Sequence, residues 1–362
     1  MTTRHMEKYR DPEISKRIAD NIKKISKKPV RIMEVCGTHT VSIFRNGIRS
    51  ILPDTITLLS GPGCPVCVTA QKEIDTVIEI AGKEKMIIAT FGDLMKVPGF
   101  NSSLQMEHSK GSDIRMVYSA FDAINIAKNN PDRIVVFPGV GFETTAPTIA
   151  ASIITADKMN LENFYVYSVH KLVPPALFAL MDNEKVKVDG FILPGHVSVI
   201  IGSHGYEPFF NKYSVPGVIA GFEPVDILQA IYKIVCRIEN ESPGLDNCYK
   251  RAVTTEGNLK AQQMMEDVFK AADAQWRGIG MIPGSGLGIR KKYERFDAEK
   301  MVDFSSPINK EPKGCACGEI LTGIKTPPEC QLFNKQCTPM TPVGPCMVSS
   351  EGTCATYYQY SL

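Results

Sequence analysis

The chain has 362 residues, 43% of them hydrophobic, with 41 basic and 39 acidic side chains and a formal charge of +2. That length suits two or three domains, each with its own core, and the hydrophobic content excludes a disordered chain. The near-neutral charge gives no electrostatic case for nucleic acid.

Charged helical periodicity covers Asp11 to Lys27, where Lys23, Lys24, Lys27 and Lys28 read as a solvated face. The start, MTTRHMEKYRDPEIS, lacks the apolar stretch of a secretory signal, and no apolar run is long enough to span a bilayer. A cytoplasmic protein without membrane contact is expected. In that compartment 11 cysteines point to metal binding or redox catalysis over a disulfide framework.

Short β-branched runs follow, each ending in a glycine-containing loop and leading into a helical pattern. Val30–Val35 runs into Cys36-Gly37-Thr38-His39-Thr40, Thr55–Leu59 into Gly61–Cys67, and Met86–Phe91 into Gly92-Asp93; Ile114–Ser119 precedes a helix through Asn129. The pattern resumes with Ile134–Phe137 before Pro138–Pro147 and a helix through Met159. Then come Phe164–Val169, Phe191–Leu193 before Pro194–Ser198, and Val215–Ala220 before a helix from Pro224 to Glu239. Such alternation predicts parallel sheets covered on both faces, here as two consecutive α/β domains flanking a cleft. Polar loops at strand ends put ligands in that cleft. A helix is predicted from Asn258 to Trp276, and Gly284–Gly288 reads as turn structure because it lacks the ending of a phosphate loop. The loop-rich tail beyond has too few apolar residues to fold alone. It requires a metal cluster, or docking on the N-terminal helix, to be ordered. The expected divisions are residues 1–28 as a helix docking on the C-terminal domain, 29–130 and 131–255 as the α/β domains, and 256–362 as the cysteine-rich domain.

Three cysteines stand in the first half. Cys64 and Cys67 form a CxxC in GPGCPVC at a helix start, able to form a reversible disulfide or to ligate a metal jointly. Cys36 ends a predicted strand in CGTHT, as nucleophile or ligand, with His39 three residues on as ligand or proton carrier. His196 in PGHVS and Glu143 in GFETT hold equivalent strand-end positions and are candidates for the opposite wall of the cleft. The tail carries Cys315, Cys317, Cys330, Cys337, Cys346 and Cys354. Iron–sulfur and zinc are the alternatives for it. Structural zinc usually pairs its thiols as CxxC knuckles, which the tail lacks, so a four-iron cluster is favoured, with two thiols left to form a disulfide beside it.

Taken together, VCGTHT, GPGCPVCVT, PGVGFETTAP, LPGHVSVI and the tail motifs resemble the hydrogenase maturation factor HypD family over nearly the whole chain. The resemblance implies an assembly protein for the Fe(CN)2CO group of [NiFe] hydrogenases. In that family the small chaperone HypC shares the iron and delivers it to the hydrogenase large subunit, and HypE donates cyanide as a thiocyanate made with HypF. It implies two α/β domains, a third domain holding a [4Fe-4S] cluster, and a chain that is a monomer by itself. By motif, Cys36 would hold the iron that carries CN and CO. Cys64 and Cys67 would add ligation or act as a dithiol, and His39, His196 and Glu143 would line the same cleft. By analogy with ferredoxin:thioredoxin reductase, Cys315, Cys330, Cys337 and Cys354 would hold the cluster, and Cys317 would pair with Cys346. The rival reading is a stand-alone, cluster-dependent thiol–disulfide oxidoreductase.

Overall fold

The computed structural model describes residues 7–301 and 312–361. The expected divisions 1–28 and 256–362 therefore lie partly outside the described residues. Two wholly parallel sheets organise the rest. The first has the order β2-β1-β7-β8-β9, formed by Ile56–Ser60, Val30–Glu34, Gly190–Pro194, Pro216–Ala220 and Gly244–Asn247. The second has the order β4-β3-β5-β6, formed by Asp113–Met116, Met86–Thr90, Ile134–Gly139 and Phe164–Ser168. The expected α/β class, with two parallel sheets and a helical and loop-rich cysteine tail, is what the chain adopts.

The path between the sheets differs from a boundary at Asn130-Pro131. The chain leaves the first sheet after β2, builds β3 to β6, and returns for β7 to β9. Asn130-Pro131 thus lies inside the second sheet, because β5 inserts between β3 and β6 and pairs Val135 with both Ile87 and Phe164. A strand–loop–helix unit reads the same locally whichever sheet its strand joins, so no local signal marks the crossing. The short, polar β9 escapes prediction for want of an apolar run.

The N-terminal helix, Pro12–Ile25, docks elsewhere than expected. Asp11 caps it by accepting from the Glu13 and Ile14 N–H groups. Its buried stripe of Ala19 and Ile22, flanked by Ile18 and Ile25, joins the core of the first sheet and the Pro224–Glu239 helix through Ile227, Ile231 and Ile234. The tail instead lays its last helix, Thr353–Tyr360, on the Gly37–Arg45 helix, with the rings of Phe44 and Tyr357 4.5 Å apart. A continuous apolar partner was available to the N-terminal helix in the first sheet, whereas the tail offers small satellite clusters.

The helix predicted to Trp276 ends at Val268. Phe269–Trp276 is β10, antiparallel to β11, Gly280–Ile289. Gly284–Gly288 accordingly lies in a strand, not a turn. An alanine-rich segment with good helix propensity is overridden by pairing with a glycine-rich partner. At Gly286 a Cβ would sit 2.8 Å from the Ala274 Cβ. Among the described residues no helix is long and apolar enough to cross a membrane.

Candidate thiol and metal centre

Cys36 terminates β1 and opens the Gly37–Arg45 helix, so its thiol lies at the carboxyl edge of the first sheet. It is 7% exposed, and burial pushes its thiol pKa up to about 12. The loop after β2 presses directly on it. Gly63 has no room for a side chain, since a Cβ would lie 2.1 Å from the Cys36 nitrogen, and its carbonyl accepts from the Gly37 N–H at 3.0 Å. Cys64 caps the short Pro65–Val68 helix by accepting the Cys67 N–H on its Sγ at 3.3 Å. The two cysteine motifs are therefore one assembly.

Beneath Cys36 lies Glu34, 2% exposed, its carboxyl driven up to about 8 by burial. Its Oε1 accepts from Thr40 at 2.6 Å and its Oε2 from the Cys36 N–H at 3.3 Å. His39 is fully buried, with Nε2 2.9 Å from the Gly221 carbonyl, and burial lowers its pKa to about 4. A neutral ring that donates from Nε2 leaves Nδ1 as an acceptor, and this atom has no partner. Phe222 connects the two histidines, with its ring centroid 4.8 Å from that of His39 and 4.0 Å from that of His196. His196 itself is exposed. Glu351, from the tail, accepts from Thr38 at 2.6 Å, and its backbone covers Gly37. Its charge is felt by both Cys36 and His196.

Glu143 takes its hydrogen bond from a different segment. It is buried, accepts from the Val173 N–H at 2.9 Å through Oε1, and leaves Oε2 without a partner. Burial raises its pKa to about 7. The buried phenol of Tyr206, hydrogen-bonded with Ser198, senses the charges of both Glu143 and Cys36.

A line of thiols leads away from Cys36. Cys67 contacts Cys64 on one side and Cys346 on the other, and Cys346 lies 3.2 Å from Cys317, sulfur to sulfur. Cys317 in turn contacts Cys315, and Cys346 also contacts Cys354. Burial, followed by its sulfur neighbours, holds Cys67 well above the usual thiol range.

The remaining tail cysteines surround a small apolar basin. Cys330 and Cys337 are buried with Ala316, Ile320, Phe333 and Met347, and Cys354 packs against them. Cys354 senses Cys315 and Cys337. The Val343 N–H donates to the Cys337 sulfur at 3.3 Å. Among the described residues no three His, Cys, Asp or Glu side chains gather closely enough to hold one metal ion. Cys330, Cys337 and Cys354 around this basin, with a backbone donor aimed at the Cys337 sulfur, could together with Cys315 hold a polynuclear cluster, which would supply single-electron chemistry.

Comparison with known proteins agrees with the motifs. The family described as HypD, "Hydrogenase formation hypA family", matches residues 13–361. The HypD2 maturation factor of Bradyrhizobium diazoefficiens is 44% identical over 367 residues, covering 99% of this chain and 97% of that one. HypD of Rhodobacter capsulatus is 44% identical over 364 residues, 97% of each chain. HypD of Escherichia coli K12 is 41% identical over 365 residues, 99% of this chain and 98% of that one. The chain belongs to the HypD family. It is a hydrogenase maturation factor of that family.

Several residues at this HypD site have little sequence signature. Glu34 is detectable as the acidic residue of the strand run VRIMEV, which also carries Arg31. Phe222 follows a strand-end glycine, a position that reads as loop. Glu351 stands in a polar stretch 313 positions from its partner Thr38, and nothing local announces it.

Proposed function

We propose that this HypD-family chain is a redox-active scaffold on which the Fe(CN)2CO group is assembled together with HypC. Cys36 would hold the substrate iron, sharing it with a cysteine of HypC; soft thiolate suits an iron that bears cyanide and CO. Because the Cys36 thiol is protonated at neutral pH, ligation must expel its proton, and the buried setting then keeps the metal site dry.

Cyanide reaches the site as a thiocyanate on HypE, and its release is a two-electron reduction. The S–CN bond breaks while a disulfide forms between Cys64 and Cys67. The two thiol protons leave, one to the thiolate of the cyanide donor and one to cyanide or solvent. Cys346 then attacks the Cys67 sulfur, Cys317 resolves the mixed disulfide, and the oxidising equivalents move to the Cys317/Cys346 pair. Cys315, Cys330, Cys337 and Cys354 would hold a [4Fe-4S] cluster, which when bound supplies single electrons drawn from an external one-electron carrier.

The observation that carries this reading is the unbroken line of sulfur contacts from Cys64 through Cys67 and Cys346 to Cys317. The test is an anaerobic infrared spectrum of the complex with HypC, for wild type and Cys36→Ala. Cyanide and CO stretches are expected in wild type and absent in the variant. A fully reconstituted wild-type complex without these bands would refute the scaffold role.

A further inference from the structure

Arg277 is 2% exposed and ranks among the largest fully enclosed side chains. A guanidinium is always charged, and burying it is costly unless a counter-charge is present. Its bonds go to neutral acceptors: Nε donates to the Thr69 carbonyl at 2.9 Å and Nη1 to Gln71 Oε1 at 2.8 Å. Nη2 is buried with no partner at all. Among the described residues no carboxylate forms an ion pair with Arg277. The carboxylate that senses it, Glu73, is already taken by the buried Lys171 at 2.6 Å. Glu299 and Asp297 lie on the Lys171 side of this cluster, so the guanidinium of Arg277 remains without a carboxylate bonded to it.

The position of that charge is specific. The Arg277 N–H donates to the Val68 carbonyl at the end of the CxxC helix. The next residue, Gly278, has a φ of +70° and abuts the tail backbone, where a Cβ would fall 2.1 Å from the Gly318 Cα. Arg277 thus sits where the CxxC segment, β10 and the Cys315–Gly318 turn meet, with its guanidinium held on Thr69 and Gln71. The charge of Arg277 is felt at both Cys315 and Cys317.

We infer that Arg277 is the counter-charge for the tail's sulfur centre, a positioning residue that stabilises the more negative, reduced form of the cluster and so raises its potential. The inference rests on the reading that Cys315, Cys330, Cys337 and Cys354 hold a cluster. A thiolate-ligated cluster is anionic and supplies the counter-charge that no bonded carboxylate gives Arg277. Reduction adds a further negative charge, which the cation favours directly.

The experiment is an EPR-monitored redox titration of the anaerobically purified, cluster-loaded protein, comparing wild type with Arg277→Met, Arg277→Lys and Gln71→Glu. Arg277→Met removes the charge, whereas Gln71→Glu leaves the arginine in place and neutralises it with a carboxylate. Both should shift the reduction equilibrium at least tenfold toward the oxidised form, about 59 mV more negative for one electron. Arg277→Lys should stay close to wild type. If Arg277→Met does not fold, Gln71→Glu decides. Wild-type potential in a charge-neutralised variant that retains its cluster overturns the inference. Wild-type protein that binds no cluster overturns the reading beneath it instead.

Discussion

Glu143 and His39 are buried ionisable groups whose energetics run in opposite directions with pH. The Glu143 carboxyl rises to about 7 because burial disfavours its charge. A raised folded-state pKa means that its contribution to stability is fully present below the unfolded value and is lost as pH rises toward 7. His39 is lowered to about 4, so its contribution is present above the ordinary histidine value and is lost as pH falls toward 4. Glu143→Gln keeps an acceptor for the Val173 N–H and cannot ionise. Its stability relative to wild type should therefore improve by about 1.4 kcal/mol per pH unit between the ordinary carboxylate range and pH 7. Urea midpoints for both proteins at pH 5 and pH 7.5 measure this; a relative stability that is flat with pH would show that Glu143 is ionised throughout. Residues of this kind were only half legible. GFETT and CGTHT mark their positions, but the exposed setting of His196 and the enclosed setting of His39 depend on which sheet edge each loop meets.

At the scale of elements, strand identity was legible because β-branched runs ending in glycine loops have a mechanism behind them. The Pro224–Glu239 helix is likewise bounded by a proline at its first turn and lies where the periodicity placed it. Pairing was not legible. β5 could join β3 or start a new sheet with the same local sequence, and Ala271–Gln275 could be helix or strand until Gly280–Ile289 was beside it. The N-terminal helix makes the same point through its docking. Ile22 is fully enclosed among Ile227, Ile231 and Ile234, away from the cysteine tail. Truncation to alanine should cost about 2–5 kcal/mol from lost transfer and the cavity left behind. The expected outcome of Ile22→Ala is a lower thermal midpoint with, on the proposed reading, the visible absorbance of the tail cluster per protein unchanged. Loss of colour in step with Ile22 would restore a dependence of the tail on this helix.

Across the whole molecule, the tail connects the sheets to the thiol chemistry, and it does so through one residue more than any other. Cys346 contacts Cys67 of the first-sheet loop, Cys317 of the tail turn and Cys354 of the last helix. It is 2% exposed, so no solvent thiol reaches it in the folded protein, and on the proposed reading electrons pass from the tail to the CxxC through its sulfur. Gly352 supports this placement, since a Cβ there would lie 2.2 Å from the Cys346 carbonyl oxygen. Exchange requires attack along the line of two sulfurs, and Cys346 is the tail thiol that contacts Cys67. Replacing Cys346 by alanine should therefore separate two properties that travel together in wild type. On the proposed assignment the visible spectrum should persist, because the proposed cluster thiols Cys315, Cys330, Cys337 and Cys354 are untouched. Reduction of the Cys64/Cys67 disulfide by a low-potential one-electron donor, followed by thiol labelling of those two cysteines after a timed quench, should fall at least tenfold. A bleached variant would instead assign Cys346 to the cluster. A coloured variant with wild-type reduction of Cys64 and Cys67 would mean that electrons reach the CxxC by a route other than the thiol line.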